Sequence, residues 1–396
     1  MKKYFIYIIL ALTCLTFYSC KDSDLFFADN EQDHDNDEIT GDDYVYHLPV
    51  IFHVLYKDED AKDTLNRPIQ RIPYERLEEI LANVNDLYEG QLYNFGKEAN
   101  EYSENLHVKL ELALYDEQGQ KLKTPGVEYI KYDGDYPIDS EKFMSQKKKK
   151  NKIIWDPNEY INVMVYNFKH EENKRTVLGV SCMPYTAKGY PQIEGLESVK
   201  TNVISKDNLS FEYCVSLNSL YIYSQSSRYT DVDHGAKGFT YISSDINVTL
   251  AHEIGHYLGL HHVFAEEKNG QDVTAANNCE DTDFCTDTKS YNKIKYDNWL
   301  TEYVNVHKDA ESLDLRDLIK RSNDKGEEWD SDNLMDYAFS LSFRLTPEQH
   351  NRIRQVLYYS PLIPGPKKNR SSGSRSYDSG KPLDLPIQLI VDECQQ

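Results

Sequence analysis

The chain has 396 residues, 44 Lys+Arg against 66 Asp+Glu, and a formal net charge of -22. It is long enough to bury a sizeable core without disulfide or metal staples, and at about 100–200 residues per domain it holds two or three units or one catalytic unit with extensions. So acidic a balance excludes a nucleic-acid binder, which needs a basic face against a polyanion.

Lys2 and Lys3 precede an apolar run from Tyr4 to Leu12. A short basic region before an apolar core predicts a secretory signal over residues 1–19. Cys20 follows Ser19 directly, and a small residue before a cysteine resembles the lipobox of bacterial lipoproteins. The resemblance implies lipidation at Cys20. The other reading is ordinary cleavage that leaves a free thiol. Residues 20–44 are dense in carboxylates and poor in apolar side chains, which predicts a disordered tether. An acidic stretch after a lipidated cysteine resembles the export tag of Bacteroidetes surface lipoproteins. That resemblance implies an outer-membrane lipoprotein of the cell envelope, exposed at the surface and held by the lipid anchor alone.

The body opens with His47–Tyr56, an apolar run with β-branched members that predicts a strand buried on both faces. Pro73 then opens a helix. Leu77, Ile80, Leu81, Val84, Leu87 and Tyr88 fall on one helical stripe, and Gly90 stops it. Val108, Leu110, Leu112 and Leu114 alternate at strand period, and Tyr160–Phe168 reads as a further strand. The Lys147–Lys150 run reads as a solvated loop. Residues 364–380, rich in Pro, Ser, Gly, Lys and Arg, read as a linker before a last strand-like patch, Leu383–Val391. Apart from Cys14 and Cys20, the cysteines are Cys182, Cys214, Cys279, Cys285 and Cys394. An oxidising compartment permits disulfides, and Cys279 with Cys285 would close a short loop.

The chemistry concentrates at HEIGHYLGLHH, residues 252–262. His252 and His256 are one helical turn apart, so both imidazoles leave one face, as a tetrahedral zinc site requires. Glu253 can reach the solvent molecule at such a metal without filling a coordination position. Gly259 can take the left-handed conformation that ends the helix and brings His262 back as third ligand. Three protein ligands leave a position open, which marks a catalytic site. Leu250, Ile254 and Leu258 supply a core-facing stripe, and Ser243, Ser244 or Asp245 can cap the helix start. His261 does not fit the ligand spacing and reads as an outer-shell or surface residue.

This pattern resembles the metzincin metallopeptidases. Asn333-Leu334-Met335-Asp336-Tyr337 resembles the methionine turn of their pappalysin (cytophagalysin) branch, and LPVIFHVLY resembles that branch's opening strand. Thr346 and Gln349 form a capping box for a terminal helix with Pro347 at its first position. The resemblance implies zinc on His252, His256 and His262, Glu253 as general base and acid, Met335 as a hydrophobic floor and Tyr337 as a stabiliser of the oxyanion. It also implies calcium near residues 279–288, with Asp283 and Asp287 as the candidates. The implied fold is α/β (α+β): an upper subdomain, residues 45–262, with a mixed twisted sheet, backing helix and active-site helix, and a lower, mostly irregular subdomain, residues 263–362, with the Met turn and C-terminal helix. Residues 363–396 form an extension, and 290–332 match no part of the branch.

The expected protein is a monomeric zinc endopeptidase acting on protein or peptide substrates. An extended substrate is expected to pair with an edge strand, assigned to Cys214–Tyr223. Two other classes remain open: a catalytically silent surface adhesin that keeps a metal for structure, and a non-peptide zinc hydrolase.

Overall fold

In the computed structural model, the residues described are 43–90, 103–147, 152–170, 175–201, 203–227, 240–269, 272–307, 313–367 and 382–394. The leader, Cys20, nearly all of the acidic tether and most of the 364–380 linker lie outside them.

The first apolar run forms β1 (Tyr46–Tyr56). Eight of its residues, beginning with Tyr46 and Leu48, have at most a sliver of exposed surface, because strands flank β1 on both sides and helices cover the sheet. The helix opened by Pro73 is α1 (Tyr74–Tyr88), which buries the predicted leucine–valine stripe. Then come β2 (Val108–Leu112), β3 (Val127–Lys131), α2 (Ser140–Ser145), β4 (Ile161–Tyr166), β5 (Thr176–Cys182), the short pair β6 (Tyr185–Ala187) and β7 (Glu197–Val199), and β8 (Val215–Asn218). The zinc-motif helix is α3 (Ile246–Tyr257), followed by the hairpin β9 (Glu266–Asn269) and β10 (Asp272–Ala275). Helices α4 (Lys293–Val306) and α5 (Leu315–Leu318), the pair β11 (Lys320–Ser322) and β12 (Glu328–Asp330), α6 (Pro347–Tyr359) and β13 (Leu389–Cys394) complete the order.

Seven strands make one mixed sheet in the order β13-β5-β8-β4-β1-β2, with β3 extending the β2 edge along β1. Strands β1, β2, β3, β4 and β8 run parallel, whereas β5 is antiparallel to β8 and β13 is antiparallel to β5. This is the mixed α/β architecture that the sequence implies.

One expectation is corrected. The Cys214–Tyr223 segment is not an edge: its strand, β8, is hydrogen-bonded between β4 and β5. All four of its residues are buried, which a short VSLN run alone does not reveal. The edge beside β5 belongs to β13, which begins six residues later and ends three residues later than the expected Leu383–Val391 patch.

Helix α3 lies on the sheet beside α1. The Tyr88 hydroxyl donates to the Ala251 carbonyl at 2.8 Å, and Asn83 bonds Asn247 at 3.1 Å. Asp245 caps α3, accepting from the Asn247 N–H. The helix is buried almost all round, not on one face only, because the Met-turn segment covers its ligand side. One hydrophobic core runs through both halves, joining Val50, Val163 and Leu217 to Leu334, Leu345 and Val356. A satellite cluster of Phe264, Tyr291, Tyr296, Leu300 and Leu318 shows that the described residues of 290–332 pack into the lower half. Cys182, Cys214, Cys279 and Cys285 are free thiols, so no disulfide joins Cys279 to Cys285.

Candidate metal centre

Helix α3 presents His252 and His256 one turn apart. Its end is set by Gly259, whose φ of 95° is open to glycine and strained for other residues. A side chain there would also meet Val356 of α6 at 2.6 Å. The reversal carries His262 back to the helix. Nε2 of His256 lies 2.9 Å from Nε2 of His252 and 3.1 Å from Nε2 of His262. Among the described residues these three form the one group of His, Cys, Asp or Glu side chains able to share a metal ion.

Each imidazole is held from behind. Nδ1 of His252 donates to the Leu334 carbonyl at 2.8 Å, and Nδ1 of His256 to the Leu260 carbonyl at 2.7 Å. Nδ1 of His262 donates to the Glu266 carboxylate at 2.6 Å. These bonds place the ring proton on Nδ1 and leave every Nε2 lone pair aimed at the common point. Burial, then the neighbouring imidazoles, holds His256 and His262 well below the usual imidazole range, so they are neutral ligands in waiting. Burial pushes the Glu266 acid up to about 8.

Glu253 is fully buried, and neither of its carboxylate oxygens has a hydrogen-bond partner. Burial first, and the nearby Asp392 carboxylate second, push its acid well above the usual range. An adjacent dication reverses that logic by favouring the carboxylate. A pair of orphaned acceptors beside three converging imidazoles fits a divalent metal.

The floor matches the expected turn. A side chain on Gly255 would meet Met335 Sδ at 2.7 Å, so the sulfur lies directly under the helix. The turn is pinned by Asn333, which accepts from the Met335 N–H at 2.8 Å and pairs with Gln349 of the α6 capping box. Asp336 is held by Tyr291 at 2.7 Å, by the Ser331 hydroxyl, and by the buried guanidinium of Arg321, with Nε 3.2 Å from its carboxylate. The Tyr337 ring packs edge-on against His262 at 4.5 Å, yet its hydroxyl donates to the Val391 carbonyl of β13 at 2.6 Å.

Asp283 and Asp287 are engaged otherwise. Asp283 accepts from the Cys285 N–H and the Thr288 hydroxyl, while Asp287 accepts from the Glu348 N–H at the start of α6. Among the described residues no group of three His, Cys, Asp or Glu side chains able to share a metal ion forms in this loop, so calcium gains no support from it. His261 packs against Phe284, away from the three Nε2 atoms.

Sequence reasoning missed two residues. Glu266 orients His262, and its position four residues on is the one available signal. Gly179 of β5 faces Glu253, and a Cβ there would lie 2.6 Å from its Cγ. A glycine inside a β-rich run is the signal for such a close approach.

Three tautomer-locked imidazoles with a dry carboxylate alongside make a candidate centre for a divalent metal. Residues 232–358, which hold all of these groups but β13 and Gly179, match the Peptidase M43 family model, described as Pregnancy-associated plasma protein-A. The match covers about a third of the chain and takes in the histidine motif and the Met turn. No curated protein matches the chain. Among solved structures it is similar to mature mirolysin of Tannerella forsythia in complex with a cleaved peptide, at 16% identity and a TM-score of 0.45, covering 78% of this chain and 90% of that one. It is also similar to a promirolysin mutant of T. forsythia (14%, 0.42, 79% and 80%) and to mirolysin in complex with a compound (15%, 0.43, 78% and 91%).

Proposed function

We propose that this chain is a zinc-dependent endopeptidase that cleaves protein or peptide substrates, with His252, His256 and His262 as zinc ligands and Glu253 as the general base. One observation carries the reading: three Nε2 atoms converge, each ring locked by a bond at Nδ1, beside a buried carboxylate with no hydrogen-bond partner. When bound, zinc polarises the scissile carbonyl and acidifies water. Glu253 takes the water proton on a carboxylate oxygen and delivers it to the leaving nitrogen. Glu266 and the Leu334 and Leu260 carbonyls keep the imidazoles oriented throughout. Met335 excludes water beneath them. Tyr337 sits against His262, close enough to support the developing oxyanion once its hydroxyl is released from Val391.

A silent adhesin would not need an orphaned carboxylate at the metal position, and the site lacks no catalytic part. Casein digestion with and without chelator tests the reading: chelation is expected to abolish cleavage and zinc to restore it. Digestion indifferent to chelator would refute it. The leader and Cys20 further support attachment to the cell envelope through a lipid. Metabolic palmitate labelling lost in Cys20→Ala checks that part.

A further inference from the structure

The C-terminal strand has no role in the chemistry above, yet it touches the catalytic groups. Strand β13 pairs antiparallel with β5, Leu389 opposite Cys182, Val391 opposite Val180 and Asp392 opposite Gly179. Without it, β5 would be the sheet edge, and an exposed edge takes up an extended peptide by strand addition. Three contacts set β13 at the catalytic groups themselves. The Val391 carbonyl ties up the Tyr337 hydroxyl at 2.6 Å. Asp392 lines the same cavity as His252, Tyr337 and Leu178. Its partner Gly179 is the residue against which Glu253 packs.

We propose that β13 is an autoinhibitory strand, bound in cis along β5 where an extended substrate peptide would pair, with Val391 and Asp392 closing off Tyr337 and the histidine centre. It rests on the peptidase reading for the identity of what is excluded. Substrate and β13 then compete for one edge, and activity appears when the strand is displaced. A strand tethered to the same chain experiences an effective concentration of about 1 mM. To stay closed nine-tenths of the time it needs an intrinsic Kd below about 0.1 mM.

The test uses two readouts. A fluorescein-labelled peptide with the sequence of residues 385–396 is titrated against the zinc-loaded chain ending at Gln388 and carrying Glu253→Gln, so that the probe survives. Saturable anisotropy with Kd below about 0.1 mM, reversed by an unlabelled substrate peptide, is expected. No saturable binding to the folded truncated chain up to about 1 mM would overturn the proposal. In the second arm, full-length Val391→Pro, which loosens the strand without removing it, is compared with the unaltered chain on a quenched fluorogenic peptide. A rate increase of about tenfold or more is expected. Equal rates would overturn autoinhibition even if the truncated chain failed to fold. Probe binding with no hydrolysis by any form at full zinc occupancy would instead overturn the peptidase reading, while supporting the seat of the strand on β5.

Discussion

At the scale of single residues, the centre is a set of lone pairs and protons fixed by partners outside the HExxHxxGxxH run. Glu253→Gln keeps the shape and removes the base. It is expected to retain zinc and the melting temperature while peptide hydrolysis falls by about 10²–10⁴-fold. Undiminished hydrolysis would remove Glu253 from its role. Gly179→Ala is a subtler probe, because its methyl group displaces the Glu253 side chain with no change in charge. A fall in kcat of about 10²-fold, with KM little changed and zinc content intact, is expected. An unaffected kcat would mean that the base tolerates displacement. His252 and His256 were legible in the sequence because helical spacing puts them on one face, His262 because Gly259 can turn the chain back, and Met335 through the resemblance of Asn333–Tyr337 to a Met turn. Glu266 and Gly179 were not, since the strand and hairpin that carry them reach the site only through tertiary packing.

At the scale of elements, the Met turn depends on a segment with no readable counterpart. Arg321 of β11 lies over the Tyr296 ring at 3.8 Å and donates to the Phe339 carbonyl at 2.8 Å while neutralising Asp336. Removing one partner strands a buried charge. Asp336→Ala is therefore expected to lower unfolding free energy by about 3–5 kcal/mol in urea titration, and a change under about 1 kcal/mol would mean the pair is not integral to the turn. The 279–288 loop gives a pH-dependent counterpart. Burial, then the Asp281 carboxyl, pushes the Asp283 acid from 3.8 up to about 8. A carboxyl kept protonated by the fold adds stability in acid, and that stability is lost as pH rises from about 4 to about 8. Asp283→Asn should leave the melting temperature unchanged near pH 4 and raise it near pH 9. Strong stabilisation of the parent chain by added calcium at pH 9, absent in the variant, would mean that a cation holds the loop instead. Helices α1, α3 and α6 were legible from their stripes and caps. Strand β5 was not, because Gly179 interrupts its TVLGVSC run and glycine is disfavoured in strands, and without it the pairing partner of a substrate fell on buried β8.

At the scale of the whole molecule, one core runs beneath both halves and the centre sits where they meet. The sheet and α3 supply two imidazoles and the base, and the lower half supplies the floor and the hydrogen bond that sets His252. The sequence announced both halves through the zinc motif and the Asn333–Tyr337 run. It did not show that residues 389–394 return to the sheet beside them, because three apolar residues followed by Asp392 and Glu393 carry no signal for a partner. Everything in the reading depends on one coordination shell. X-ray absorption at the zinc edge, measured on the purified zinc-loaded chain, tests it most directly. The expected result is one zinc per chain with three imidazole nitrogens at about 2.0–2.1 Å, preserved in Glu253→Gln and lost in His262→Ala. A chain that retains no zinc after dialysis, or a shell containing sulfur, would contradict it.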